Sequence, residues 1–309
     1  MSLKTSETTE GSLPTARAAA GTARAAAGTA RGEGSLAGLP HALLRAETTG
    51  VQLNLADLWA YRELLYFLTW RDIKVRYKQT LMGVMWVVIQ PFMTMLIFTL
   101  VFTRFMKLDV GAVPYPLFAY AGLLLWTFFS VSVTSGTNSL ISNTSLVTKV
   151  YFPRAFIPAA AVGAGLVDFT VGAVPLVALM LYYRVQVTWG LLLAPLFVIL
   201  GALLALSVGM VASALTVRYR DLRHALPFLL QLWMFASPVL YPSQILGPRW
   251  RWVLAANPLT GVLEGFRSAV AGTPFDWSLV AVPVVAAPVL VCAAFYVFRR
   301  FEDTFADVI

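Results

Sequence analysis

Uncharged apolar runs of membrane-spanning length recur along the chain, separated by short polar segments. A helix rises ~1.5 Å per residue, so ~20 apolar residues cross the ~30 Å hydrocarbon core of a bilayer. Met82–Thr103, Pro116–Thr137, Ala155–Tyr183, Trp189–Val217, Ala225–Ser243 and Trp277–Phe298 are predicted as six spans. The second half of the second is rich in Ser and Thr, the third contains Asp168, and the fifth is short and carries Pro227, Pro238 and Pro242. Val253–Gly272 is partly apolar but holds Asn257, Pro258, Glu264 and Arg267. Charges at the centre of a span are costly in lipid. Residues 244–272 are therefore expected to dip into the protein and return, because irregular backbone at that depth needs protein or water to satisfy it.

Before the first span the pattern changes period. Tyr66, Trp70, Ile73 and Tyr77 recur at steps of four, three and four, with Arg71, Lys74 and Lys78 on a neighbouring stripe. Residues 56–80 are predicted as an amphipathic helix lying in the headgroup layer; a solvated helix packed on a partner is the plainer alternative. Residues 1–55 are low-complexity: TARAAAG occurs at 15–21 and 22–28 and decays into TARGEGS at 29–35. They read as a disordered tail without the apolar core of a signal peptide.

Composition supports the membrane reading. Hydrophobic residues make up 59% and charged residues 12%, too few charges to cover a soluble fold of 309 residues. The net charge of +8 suggests nucleic acid, but the basic residues flank apolar runs instead of forming one face. They fit the excess of Lys and Arg on cytoplasmic loops. With the run before Met82 inside, the inner flanks hold Arg71, Lys74, Arg76, Lys78, Lys149, Arg154, Arg218, Arg220, Arg223, Arg299 and Arg300. The outer flanks hold Arg104, Lys107, Arg184, Arg249, Arg251 and Arg267. Six crossings put the last residues, 303–309, in the cytoplasm with the N-terminus; seven would weaken the bias. Cys292 is alone, and His41 and His224 lie far apart, so neither a disulfide nor a metal site is expected.

No Gly-Lys pair exists, so a Walker A loop is excluded. Energy for any transport would come from another chain. A membrane glycosyl- or acyltransferase would need a polar catalytic constellation, whereas Asp57 and Asp72 stand alone near the inner face.

Four stretches then stand out in order: RDIKVRYKQTLMGVMWVVIQP (71–91), NTSLVTKVYFPRAFIP (143–158), LTVRYRDLRHALPFLLQLWMFASPVLYP (215–242) and NPLTGVLEGFRSAVAG (257–272). Together they resemble the membrane subunits of polysaccharide ABC exporters, over about residues 57–302. The resemblance implies an all-α membrane domain over 81–302, paired with a second copy of itself and with two ATPase subunits that bind ATP and Mg. No cofactor is expected on this chain. The expected cargo is a lipid-linked polysaccharide of O-antigen type, on a carrier such as undecaprenyl-pyrophosphate, at the cytoplasmic (inner) membrane. A permease for a drug or smaller lipid is the alternative.

The resemblance also implies roles for residues. Asn143 or Thr144 can cap a short helix that Pro153 stops. Its face of Leu146, Val147, Val150 and Tyr151, with Lys149 and Arg154, would be a coupling helix docked on the ATPase; packing on its own bundle is the alternative. Arg218, Arg220, Asp221 and Arg223 would make a second ATPase contact or simply anchor the loop. Glu264 and Arg267, three apart, would form an ion pair at the external gate. Arg71, Lys74, Arg76 and Lys78 are suitably placed for a pyrophosphate headgroup. Trp86, Phe92 and Trp126 are candidates to line a glycan conduit, since a sugar's C–H face can lie on a ring. Asp168 is either a substrate contact or a structurally paired carboxylate.

Overall fold

The computed structural model describes residues 61–78, 83–105, 113–149, 152–243, 247–302 and 305. The repeat-bearing tail, Val150 and Tyr151 lie outside them. Most of the described residues are helical, with no strand among them. Ten α-helices follow one another: α1 Arg62–Lys78, α2 Gly83–Thr99, α3 Tyr115–Ser142, α4 Thr144–Lys149, α5 Phe156–Tyr182, α6 Ala194–Arg218, α7 Leu222–Ala236, α8 Gly247–Ala256, α9 Pro258–Ala271 and α10 Trp277–Glu302. A π-helical stretch, Leu100–Phe105, continues α2, and a 3₁₀ turn, Trp189–Leu193, leads into α6.

Five segments are long and apolar enough to cross a membrane: Met85–Phe105, Tyr115–Ser142, Phe156–Tyr182, Trp189–Arg218 and Trp277–Glu302. They overlap the first, second, third, fourth and sixth predicted spans. The fifth differs. Its helix, α7, has 15 residues, roughly 22 Å at 1.5 Å per residue, and ends before Pro238. Residues 237–242 continue as largely buried, non-helical backbone.

α3 is the centre of the bundle. Leu117, Ala119, Tyr120, Leu125, Phe129 and Val133 are all fully buried, enclosed by helices on several sides. Several hydroxyls of its Ser/Thr-rich second half bond back to the preceding turn, whereas Ser132 is buried without such a bond. Thr134 donates to the Ser130 carbonyl at 2.8 Å, Thr137 to Val133 at 2.7 Å and Ser139 to Gly136 at 2.6 Å. Such local bonds keep polar side chains satisfied in an apolar setting. Gly136 faces Gly209 of α6 so closely that a Cβ on it would stand 3.4 Å from the Gly209 Cα, the small-residue contact expected between spanning helices.

Two apolar clusters divide the bundle. The larger surrounds α3 and reaches α6, α7, α9 and α10. The smaller gathers Leu68, Leu140, Val147, Phe156, Val217, Phe298 and Phe305. The start of α5 and the ends of α3, α6 and α10 therefore meet α1 at one end of the bundle.

Candidate functional site

α1 has two faces. Leu64, Leu65 and Leu68 pack into the smaller cluster, and the stripe Leu68, Asp72, Arg76 continues that inward face at steps of four. Tyr66, Trp70, Lys74 and Lys78, also at steps of four, are exposed. Lys74 lies over the Trp70 ring, 5.6 Å from its centroid. The aromatic stripe read from the sequence is thus split: Tyr66 and Trp70 face outward, while Tyr77 turns in.

Arg76 and Tyr77 both reach Asp168 of α5. The Arg76 guanidinium is ion-paired with one carboxylate oxygen, and the Tyr77 hydroxyl donates to the other. Arg76 also donates to the Ser135 hydroxyl of α3 at 3.3 Å. Burial, and then the bond to Asp168, push the Tyr77 hydroxyl above its ordinary range, so it remains the donor. Asp168, 8% exposed, has the ion pair and hydrogen bond that a buried carboxylate needs. Of the four basic residues expected at a headgroup, Arg76 is engaged here, and Arg71 donates to Asp72 at 2.7 Å. Lys74 and Lys78 are the two on the outward face. A cavity opens beside the Arg76–Asp168 pair, between α2, α3 and α5.

Of the three conduit aromatics, Trp86 is 59% exposed and Phe92 is half-buried, edge-on to Tyr120. Trp126 is 6% exposed and packed against Phe129 within the core.

At the α1 end, α4 forms a single helical step after Asn143. The backbone N–H groups of Leu146 and Val147 bond to the Asn143 carbonyl at 2.9 and 3.0 Å. Neither side chain expected as a cap serves as one. Asn143 donates to the Ser139 carbonyl and Thr144 to the Ile141 carbonyl, both back into α3. Val147 is buried and Leu146 packs beside it in the bundle's own cluster, while Ser145, Thr148 and Lys149 are exposed. Arg154, just beyond, is tied to the end of α10. Its backbone N–H donates to the Glu302 carboxylate at 3.1 Å and its guanidinium to the Glu302 carbonyl. Arg218, Arg220, Asp221 and Arg223 are exposed on the α6–α7 turn.

The third assembly holds the broken stretch after α7. Asn257 caps α9 by accepting from the Leu259 N–H at 3.2 Å, with Pro258 at the first helical position; Gly272 ends the helix at φ 70°. Asn257 also donates to Ser237 at 2.8 Å. Arg267, 5% exposed, donates to the Pro238 carbonyl at 2.6 Å and to the Val239 carbonyl. Its guanidinium lies 3.8 Å from the Phe118 ring centroid, and Glu264 Oε1 stands 3.5 Å away. Tyr115 donates to the Leu240 carbonyl at 3.0 Å. The expected Glu264–Arg267 pair exists, but the stronger bonds of Arg267 go to backbone. No short sequence signal pointed to Ser135 or Tyr115, or to the bonds of Tyr77 with Asp168 and of Glu302 with Arg154, because these partners lie far apart in the chain.

The family model of the ABC-2 type transporter matches residues 63–271. The chain is 33% identical over 257 residues to the O-antigen export system permease protein RfbA of Myxococcus xanthus, covering 82% of this chain and 98% of that protein. It is 24% identical over 251 residues to an RfbA of Klebsiella pneumoniae (80% and 95% covered). The polysialic acid transport protein KpsM of Escherichia coli is 22% identical over 212 residues (65% and 78% covered).

Proposed function

The chain belongs to the ABC-2 type transporter family, and on that premise we propose that it is the transmembrane subunit of an ATP-driven exporter of lipid-linked polysaccharide. The observation that carries this is the match to an O-antigen export permease over 98% of that protein's length. It is a transport subunit; ATP and Mg are bound and turned over on a separate ATPase chain. Two copies form the pathway, with two ATPases docked at the α1 end.

That end is cytoplasmic in the inner membrane, with both termini on the same side. α1 is the interfacial helix, α7 with its broken continuation makes a further crossing, and α8–α9 form the re-entrant segment near the external mouth. The exposed side of α4 with Lys149, together with Arg218, Arg220, Asp221 and Arg223, meets the ATPase. Nucleotide-driven closure of the ATPases moves this end, and the motion reaches α2 and α7, widening the conduit. ATP shifts that equilibrium only by its differential affinity for the two states.

The test is reconstitution of the chain with its ATPase in vesicles. Lipid-linked glycan is expected to stimulate ATP hydrolysis and to appear on the far side in an ATP-dependent manner. Stimulation by amphiphilic drugs alone, or nucleotide turnover by this chain without its partner, overturns the proposal.

A further inference from the structure

The side of α4 proposed above to meet the ATPase sits on a helix too short to hold its own place. α4 has six residues, well under the ~12–15 at which an isolated helix becomes marginally stable in water. Its position therefore comes from what it is joined to and packs on. Upstream it follows α3 directly, through the bonds to the Asn143 carbonyl. Downstream the chain reaches Arg154, just before α5, and that residue is held from the far end of the sequence.

α5 has no side-chain cap of its own. Its N-cap position is Ala155, which offers no oxygen to a first-turn N–H. Instead the carboxylate of Glu302, the last residue of α10 and 148 positions away from Arg154, accepts from the Arg154 backbone N–H at 3.1 Å. The Arg154 guanidinium returns a bond to the Glu302 carbonyl. The exchange suits both helix ends, because an N-terminus favours an anion and a C-terminus a cation. The other Glu302 carboxylate oxygen stands 3.4 Å from Arg299 Nε on the same helix. Beneath this clasp lie Phe298 and Phe305, both fully buried, their ring centroids 5.2 Å apart. Val147 of α4, Phe152 and Phe156 belong to the same apolar cluster.

We infer that Arg154 and Glu302 are positioning residues for the ATPase contact: their clasp fixes the start of α5, and through it α4, against the end of α10. Arg154, which the resemblance implied would touch the ATPase, is thereby assigned to holding the permease segment that does. The clasp sets where the exposed Thr148 and Lys149 are presented. α3 and α6 pack mainly in the larger cluster, so opening the clasp loosens α4 without unfolding the bundle.

For what α4 meets, the inference rests on the exporter reading above, and the test reads position and docking separately. Position is read on the full-length chain in nanodiscs, from the mobility of a spin label at Thr148→Cys in a Cys292→Ser background. A label at Tyr66→Cys, on the exposed face of α1, is the control. Glu302→Ala is expected to raise mobility at 148 and leave it unchanged at 66. Docking is read on the unlabelled chain with its ATPase added. Glu302→Ala should raise the ATPase concentration for half-maximal glycan-stimulated hydrolysis about tenfold, the change given by ~1.4 kcal/mol, at an unchanged maximal rate. Glu302→Gln keeps an oxygen to accept the Arg154 N–H and should stay near wild type in both readouts. Arg299→Met, which removes the partner of Glu302 on its own helix, should do the same.

Unchanged mobility at 148 in Glu302→Ala overturns the inference, as does equal loosening at 66 or the same effect from Arg299→Met. Loosening at 148 with unchanged docking overturns it too, since α4 would then be held for no contact. Should Glu302→Ala fail to fold, Arg154→Met and Glu302→Gln carry the test: the first must loosen position 148 and the second must not. Loosening at 148 in a chain whose ATPase is never stimulated by glycan, wild type included, leaves the clasp standing and sinks the exporter reading.

Discussion

At the scale of single residues, two arginines do different work from the rest of the basic complement. Arg76 neutralises Asp168, and Tyr77 supplies the second bond. Removing one partner of a buried pair leaves an uncompensated charge, ordinarily ~3–5 kcal/mol. The Arg76 side chain keeps 29% of its exposure, so Arg76→Ala is expected to cost less, about 2–3 kcal/mol. Its midpoint of thermal unfolding in detergent should fall, and the exchange Arg76→Asp with Asp168→Arg should recover part of the loss. Full stability of Arg76→Ala would mean that the pair contributes nothing. Arg267 instead satisfies carbonyls where α7 has stopped. Arg267→Met should lower stability by about 1–3 kcal/mol for each carbonyl left unbonded. Gly122→Ala is expected to act on the same contact, since a Cβ there would collide with the Arg267 guanidinium and the Val239 carbonyl. Overpacking of that kind costs about 1–3 kcal/mol, and the two substitutions together should lose less than the sum of each measured alone.

At the scale of elements, α1 and α4 show what the sequence made legible and what it did not. That residues 62–78 are helical was readable, and in α9 Asn257, Pro258 and Gly272 occupy positions that start and stop a helix. What periodicity does not supply is the partner. Steps of three and four put Arg76 near Leu68 but could not say that Asp168, 92 residues on, receives it. In α4 the same gap decides a role. Val147 is buried in the bundle's own cluster, so the face read as a docking surface is partly an internal one. Val147→Ala should therefore act on stability, by about 2 kcal/mol, and little on the ATPase. Lys149 is exposed, so Lys149→Glu should leave unfolding unchanged while lowering glycan-stimulated ATP hydrolysis. Unchanged stimulation in Lys149→Glu would remove this side of α4 from the contact.

At the scale of the whole molecule, the sequence placed the five long helices to within a few residues because lipid demands uninterrupted apolar length. The fifth predicted span, Ala225–Ser243, is instead a helix that ends at Ala236, and the break after it is satisfied by Arg267, Asn257 and Tyr115 from elsewhere. Connectivity constrains that crossing more tightly than length does. Val217 near the end of α6 and Phe298 near the end of α10 lie in one cluster with Leu68 of α1. Both helices therefore finish at the same end, and α10 must begin at the other. On the proposed topology the chain crosses within residues 219–276, and α7 with residues 237–243 is the segment that leaves the α1 end. That topology has an even number of crossings, in keeping with the Lys and Arg bias. Alkaline phosphatase fused after residues 111, 187 or 274 should then be active, and fused after 152, 221 or 309 inactive. The fusion after 274 is the informative one. If α7 only dipped in and returned, that position would stay inside and α10 would have to run outward, taking Glu302 away from Arg154, the residue it is bonded to. An inactive fusion at 274, with an active one at 309, would thus contradict the parity and the packing of α10 together.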